Sequence, residues 1–346
     1  MFVYWAFYLF ISFLSINIIY IEKNLNNIFK LLFILSLSVF IGLRHEVGGD
    51  WDIYNYDYYN NLLYFNFYPL EYVRDFGYEL LSYLTNFLQS GIYSLNFILA
   101  FFFVLSLHKL SMTFNNNYML VYIIAFPYLI TVVAMGFTRQ ASALAFFLFS
   151  ICALKNEKFL IYFIYSCLAL IFHKSSAILI PLVFLSYFRF SFSFIFIFLL
   201  LLSSSLLIIF PEINRVYAGY INKDTIYISK GVYFRIALNI LAGILFIIFY
   251  KKIKIQKNID KLIILTFVFN IILLYFINDY SVLVDRFIIY FAFIQLIVFS
   301  RLYLIYPDFK VLFNIAIILL YSLIYFIWFE YSIHSYAWMP YKNILF

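Results

Sequence analysis

Four short stretches of this chain combine residue types that can do chemistry. In LRHEVGGDWDIYNYDYYNN, residues 43–61, Arg44 precedes Gly48 and Gly49, then Asp50, Asp52 and the tyrosines Tyr54, Tyr56, Tyr58 and Tyr59. A guanidinium grips an oxyanion through two parallel N–H bonds. The glycines permit a sharp turn and close approach of a ligand. Carboxylates hold sugar hydroxyls or accept a proton, and aromatic rings stack on sugar faces. Tyrosine also serves as an interfacial anchor, so that reading stays open. In AMGFTRQASALAFF, residues 134–147, Gly136 interrupts an apolar run and Thr138 can cap the next helix, with Arg139 and Gln140 in its first turn. A cation there opposes the helix dipole. An anion bound there would be favoured by the free N–H groups and Arg139 together; the alternative is a guanidinium reaching for the membrane interface.

In LIFHKSSAILIPL, residues 170–182, His173 can move a proton near neutral pH, although such a histidine is more often a structural hydrogen-bonding group. In NDYSVLVDRFIIYF, residues 278–291, Arg286 has Asp285 beside it and Tyr290 one turn on, so it either pairs locally or holds a phosphate. The stretch 211–231 brings Arg215, Tyr217 and Tyr220 and is long enough to lie over a cavity as a lid. Arg235 opens the apolar run after it.

The elements that must position these residues are apolar. Of 346 residues, 66% are hydrophobic and 11% charged, against about 25% charged in a soluble domain. Runs of about 15–20 apolar residues recur, each long enough to cross a bilayer as a helix. The expected fold is all-α and polytopic, one membrane-embedded helical domain over 1–346. About twelve spans are expected, at 2–20, 28–43, 92–109, 118–135, 138–154, 159–173, 175–188, 191–210, 232–250, 262–278, 286–300 and 311–329. The first reads as a span, without the basic flank or cleavage site of a signal peptide. The short runs around Gly136 and Ser175 are alternatively broken or re-entrant helices. PLEYVRDFGYELLSYLTNFLQS, residues 69–90, spaces its charges at a helical period and is expected to be an amphipathic helix at the interface.

Charge orients the chain. KKIKIQKNIDK at 251–261 and KNEK at 155–158 are placed inside. Alternation then puts 44–91, 136–139, 173–175, 211–231, 278–286 and both termini outside. The inside set holds eleven lysines and two arginines; the outside set holds four lysines and six arginines. Topology gives no reason for arginine to gather outside. Its planar fork suits phosphate or carboxylate, so an anionic ligand at the extracytoplasmic surface is one reading. Pairing with the twelve outward acids, among them Asp279 and Asp285, is the other.

Several classes are disfavoured. The net charge of +7 lies in short loops as an orientation signal, not a nucleic-acid footprint. Cys152 and Cys167 match no metal spacing or disulfide framework. No P-loop and no G-x-S-x-G occurs. A transporter would keep its charges near the midplane and show an internal repeat.

RHEVGGDWDIY resembles the R-x-x-V-G-x-D-x-x-x-Y signature of EpsG-like polysaccharide polymerases, related to the Wzy O-antigen polymerases, through Arg44, Val47, Gly48, Asp50 and Tyr54. Arg139 with Gln140, the FHKS element with His173, Ser175 and Pro181, the Arg286–Tyr290 pair and the ending at Pro340 and Tyr341 resemble further elements, in order along the chain. The resemblance implies an inverting glycosyltransferase with a GT-C-like bundle in a bacterial inner (plasma) membrane, its active site facing the periplasm or exterior. The implied substrate is an oligosaccharide repeat unit on undecaprenyl pyrophosphate, destined for O-antigen, capsule or exopolysaccharide. Membrane lipid and a chain-length regulator are the implied partners, and no cofactor or metal is expected. Arg139 and Arg286, helped by Arg44 or Arg235, would meet the pyrophosphates, and Asp50 or His173 the acceptor hydroxyl. Gly48, Tyr54, Gln140, Arg215 and Tyr290 would complete the substrate contacts. A lipid-linked oligosaccharide flippase and an O-antigen ligase are the rival readings.

Overall fold

The computed structural model describes residues 1–21, 27–67, 75–114, 117–187, 201, 203–205, 229 and 231–345. In chain order the main helices are α1 (Phe2–Ile21), α2 (Asn27–Gly42), α3 (Trp51–Phe67), α4 (Phe76–Phe87), α5 (Gly91–Phe114), α6 (Tyr118–Ala125) and α7 (Thr138–Lys155). They continue with α8 (Phe159–Phe172), α9 (Leu179–Tyr187), α10 (Val232–Ile248), α11 (Lys257–Phe291), α12 (Phe293–Phe299) and α13 (Lys310–Tyr331). Among the described residues the one extended pairing is a bridge between Arg44 and Asn343.

Gly91–Phe114, Lys257–Phe291 and Pro307–Tyr331 are long and apolar enough to cross a membrane, and seven shorter apolar helices accompany them. These helices fit a membrane protein. The span expected at 191–210 and the loop 211–231, with Arg215, fall almost wholly outside the described residues.

Two expectations about loops need correction. Residues 278–286 are not a loop. The helix α11 runs through them for 35 residues, with one non-helical residue at Tyr280 (φ −134°, ψ 40°). Two helical segments meet there across a kink at Tyr280, and no glycine or proline lies within 257–291 to end the helix outright. The region 44–91 is also more ordered than a loop, since it carries α3 as well as α4. The tyrosine–asparagine run of α3 is poor in strong helix formers, which hid it. The expected interfacial helix is described only as α4, because 68–74 lie outside the described residues.

Chain contacts divide the protein into two units. The first comprises Met1–Ala145, Ile171–His173 and Asp308–Phe346; the second comprises Phe146–Leu170 and Lys174–Pro307.

In the first unit the C-terminal segment straps the helix ends together. His45 N donates to Lys342 O, Ile344 N to Leu43 O and Gly48 N to Ala337 O, at 3.0, 3.0 and 2.8 Å. Tyr341 donates its hydroxyl to Phe40 O at 2.7 Å. Beneath this strap α6 runs into a π-helical stretch, Phe126–Ala134. A π turn widens the helix and loosens the carbonyl pattern. Side chains take up the freed groups: Trp338 Nε1 donates to Thr131 O at 2.7 Å, and Thr131 Oγ1 donates to Phe126 O at 2.9 Å. Tyr4 donates to Trp338 O and Tyr8 to Ile318 O, each at 2.9 Å. Each of these phenols, buried in an apolar core, thus satisfies its one donor. The Trp338 ring also lies over Gly136, where the chain breaks before α7.

The second unit is built on α10 packed along α11, with Gly243 lying against the ring of Phe267. A buried amide chain ties three helices: Gln295 Nε2 donates to Asn239 Oδ1 at 2.6 Å, and Asn239 Nδ2 to Asn270 Oδ1 at 3.0 Å. Such pairs hold apolar helices together where packing alone gives little orientation.

The adjacent glycines of the 43–61 stretch separate in the structure. Gly48 has φ +108°, and a Cβ there would overlap the Met135 carbonyl. At Gly49 a Cβ would meet only the Trp338 ring, at an ordinary 3.8 Å. Gly48→Ala is expected to destabilise the protein by about 2 kcal/mol or more, while Gly49→Ala should stay within about 0.5 kcal/mol. Thermal unfolding of the two purified variants in one detergent checks this; equal midpoints would contradict it.

Candidate functional site

The first unit gathers its charged residues around Arg139. Gly136 breaks the preceding helix, and α7 restarts at Thr138, which places Arg139 in its first turn. Arg139 is 7% exposed, too buried to be a side chain reaching for the interface. Its Nη2 lies 3.0 Å from Asp57 Oδ2 on α3 and 3.1 Å from Glu79 Oε1 on α4; Nη1 lies 3.8 Å from Asp75 Oδ2. The guanidinium carbon sits 5.3 and 4.8 Å from the ring centres of Tyr54 and Tyr78. Burial pushes both phenols up, ahead of the opposing pull of Arg139, so both rings stay neutral faces for the cation. Three carboxylates offset a cation at a helix N-terminus, where the dipole disfavours it. Among the described residues three carboxylates therefore converge on one guanidinium.

Asp75 carries a second partner. It precedes α4, is 5% exposed, and its Oδ2 lies 3.0 Å from His173 Nδ1. Close packing allows this approach: a Cβ on Gly77 would fall 2.8 Å from the Phe172 ring. With Asp75 ionised, Nδ1–H donates to the carboxylate and the imidazole keeps Nε2 as its proton acceptor. The His173 side chain is 18% exposed, so solvent or a ligand reaches it. Asn86 Nδ2 donates to Tyr58 O at 2.7 Å and locks α4 to α3 beside the cluster.

Arg44 is turned to the backbone. It is 1% exposed, donating from Nε to Val47 O at 3.1 Å and from Nη1 to Ile41 O at 2.8 Å, with Trp51 stacked 5.7 Å from its carbon. Burial pulls its pKa down to about 10, so it remains charged at neutral pH. Its place at the C-terminal end of α2 suits the helix dipole. Asp50 immediately precedes α3, its carbonyl accepting from Tyr54 N at 3.0 Å, and its carboxylate acts electrostatically on Tyr54. Gln140 is buried one residue past Arg139.

The second unit holds the other described candidates. Arg235 grips Asp285 with two bonds, Nε to Oδ1 at 2.8 Å and Nη2 to Oδ2 at 2.6 Å, and Ser229 completes the ring. Tyr290 is fully buried, its hydroxyl 3.1 Å from Ser175 Oγ. Arg286 is half-buried and makes no hydrogen bond or ion pair with the described residues.

Sequence reasoning singled out Arg139, His173, Tyr54 and Asp50, which the first unit carries together, but it missed Asp57, Asp75, Glu79 and Tyr78 as site residues. Their signal was present. Tyr54, Asp57 and Tyr58 share one face of a helix by spacing, and so do Asp75 and Glu79. The acids looked like solvent charges on an interfacial helix. Among the described residues no group of three or more His, Cys, Asp or Glu is arranged to hold a metal ion.

Residues 27–343 match the family model described as the EpsG family. No curated protein and no solved structure matches the chain.

Arg139 and its acids are expected to behave as one unit. Arg139→Gln leaves the buried Asp75 and the half-buried Asp57 and Glu79 facing one another without their cation and should lose about 3–5 kcal/mol. Adding Asp57→Asn to that variant should recover part of the loss, although Asp57→Asn alone destabilises. A double-mutant cycle on thermal stability measures the coupling; additive losses would show that the pair does not interact.

Proposed function

The chain belongs to the EpsG family of membrane proteins of polysaccharide biosynthesis, and on that premise we propose that it is a polysaccharide polymerase. It joins oligosaccharide repeat units carried on undecaprenyl pyrophosphate, at the extracytoplasmic face of the bacterial plasma membrane, within a GT-C-like bundle. The observation that supports this best is the meeting of Arg139 and His173 on one buried carboxylate, Asp75.

The chemistry follows from the groups present. An acceptor sugar hydroxyl on one lipid-linked unit attacks the anomeric carbon of the chain held on another. The new C–O bond forms as the bond from that carbon to the pyrophosphate oxygen breaks. The hydroxyl proton passes to His173 Nε2, and undecaprenyl pyrophosphate leaves with the electron pair. Asp75 fixes the imidazole and stabilises the imidazolium that forms. A guanidinium already engaged by carboxylates suits a role in aligning them better than the binding of a pyrophosphate. In this reading Arg139 aligns Asp57, Asp75 and Glu79 instead of binding the leaving group, and Asp57 and Glu79 face sugar hydroxyls. Arg44 serves as the brace of the turn that carries Asp50 and Tyr54.

A departing pyrophosphate needs fixed positive charge. Of the outward arginines among the described residues, Arg286 is the one whose fork is not already engaged by the protein, and it is the one assigned to phosphate.

A strain lacking its own copy and carrying variants separates the roles. His173→Ala should remove long-chain polysaccharide at unchanged protein level, with a rate loss of about 10²-fold or more. Arg286→Lys should fall well below wild type despite the retained charge, because the two-point grip is lost. Glycans read on a gel should stop at a single repeat unit. Normal ladders in His173→Ala would overturn the assignment of the base. A complete absence of repeat units on the acceptor would indicate a ligase, and single units trapped on the inner face would indicate a flippase.

A further inference from the structure

Within the second unit two basic loops come together at a place the proposed chemistry does not use. Gln256 Nε2, between α10 and α11, donates to Glu157 Oε1, between α7 and α8, at 2.5 Å. Lys155 and Lys158 flank Glu157; Lys251, Lys252, Lys254 and Lys257 flank Gln256. All but Lys155 are exposed. None of the six makes an ion pair or hydrogen bond through its side chain with the described residues.

Both acids of these loops are engaged elsewhere. Glu157 is occupied by a neutral amide. Asp260 is buried, accepting from Ile255 N at 2.9 Å and from the Tyr250 hydroxyl at 3.2 Å. Both bonds shape the loops and neither neutralises a lysine. Topology requires basic residues in such loops. It does not require that the two loops be fastened to each other by a side-chain hydrogen bond. The outcome is a concentrated positive face of six lysines in which Glu157 is the one exposed acid.

The composition of that face selects its partner. All six cations are lysines, compact charges on flexible stems that suit mobile anions without fixed two-point geometry. Exposed apolar residues stand beside them: Ile248 at 65%, Leu160 at 68% and Tyr250 at 40%. Apolar side chains next to snorkelling lysines mark the boundary between hydrocarbon and headgroups. We propose that this six-lysine face is a docking surface for anionic phospholipid headgroups of the leaflet it adjoins.

The test uses the full chain in nanodiscs of phosphatidylcholine with a minor fraction of phosphatidylglycerol. Lipids retained on the protein are counted by native mass spectrometry. The wild type should enrich phosphatidylglycerol, with about fivefold of the preference lost per lysine replaced. Lys251→Gln with Lys252→Gln should lose most of the preference, and Lys155→Gln with Lys158→Gln should do the same in a separate protein. Glu157→Gln removes a negative charge while keeping a hydrogen-bonding side chain, and should hold phosphatidylglycerol at least as well as wild type. Raising the salt to 0.5 M should weaken retention in all of them. Equal retention of the two lipids by wild type, or an undiminished preference in both lysine pairs, would overturn the proposal. Displacement of phosphatidylglycerol by soluble polyglutamate at stoichiometric amounts would overturn it in favour of an acidic protein partner.

Discussion

The first unit depends on keeping one guanidinium charged and buried. Arg139 is placed at a helix N-terminus in an apolar chain, where desolvation and the helix dipole both work against it. The surrounding structure answers that constraint. Two separate helices, α3 and α4, bring Asp57 and Glu79 within about 3 Å of the same nitrogen, and Asp75 adds a third carboxylate. Because a buried ion pair is stabilising only when its geometry is fixed, α3 and α4 must be locked. The Asn86–Tyr58 bond and the close approach of Gly77 to Phe172 supply that lock. The same approach brings His173 to Asp75, so the packing that stabilises the arginine also orients the imidazole.

The break that frees Arg139's end of α7 is itself held from a distant part of the chain. The π-helical stretch before it leaves carbonyls that ordinary helical bonding would have used, and Trp338 and Tyr325 meet this segment from the C-terminal region. Gly48, with its left-handed backbone, lies against Met135 at the same break. Two glycines and a tryptophan therefore serve one local geometry. This explains why motif elements near residues 48, 136 and 340 occur in one chain although hundreds of residues separate them. They are neighbours in the first unit.

The apolar runs and the special character of residues 43–61, 134–147 and 170–182 were legible in the sequence because period, charge and glycine content are local properties. The acids of the site were not, since their meaning depends on what they face. Asp75 beside Arg74 reads as a surface pair, yet the structure turns it to Arg139 and His173. Arg44 fails in the opposite direction. An arginine at a span end reads as a ligand contact, but the carbonyls of Ile41 and Val47 claim it. The break expected at 278–286 from its polar residues is present only as a kink at Tyr280, with helix on both sides. In each case the residue type was read correctly and its partner was a tertiary fact.

The separation of arginine from lysine along the chain now has a physical basis. Among the described residues, three of the arginines expected outside are engaged by the protein itself: Arg139 by carboxylates, Arg235 by Asp285 through two bonds, and Arg44 by backbone carbonyls. Each use requires a rigid fork with fixed donor directions, which an ammonium cannot supply. The lysines of 155–158 and 251–257 make no ion pair with the described residues, and there flexible point charges suffice. Arginine therefore gathers where the fold must hold a charge in place, and lysine where a charge must remain available at the surface. An anionic ligand is not needed to explain Arg44, Arg139 or Arg235, and among the described residues the fork of Arg286 stands apart from these three.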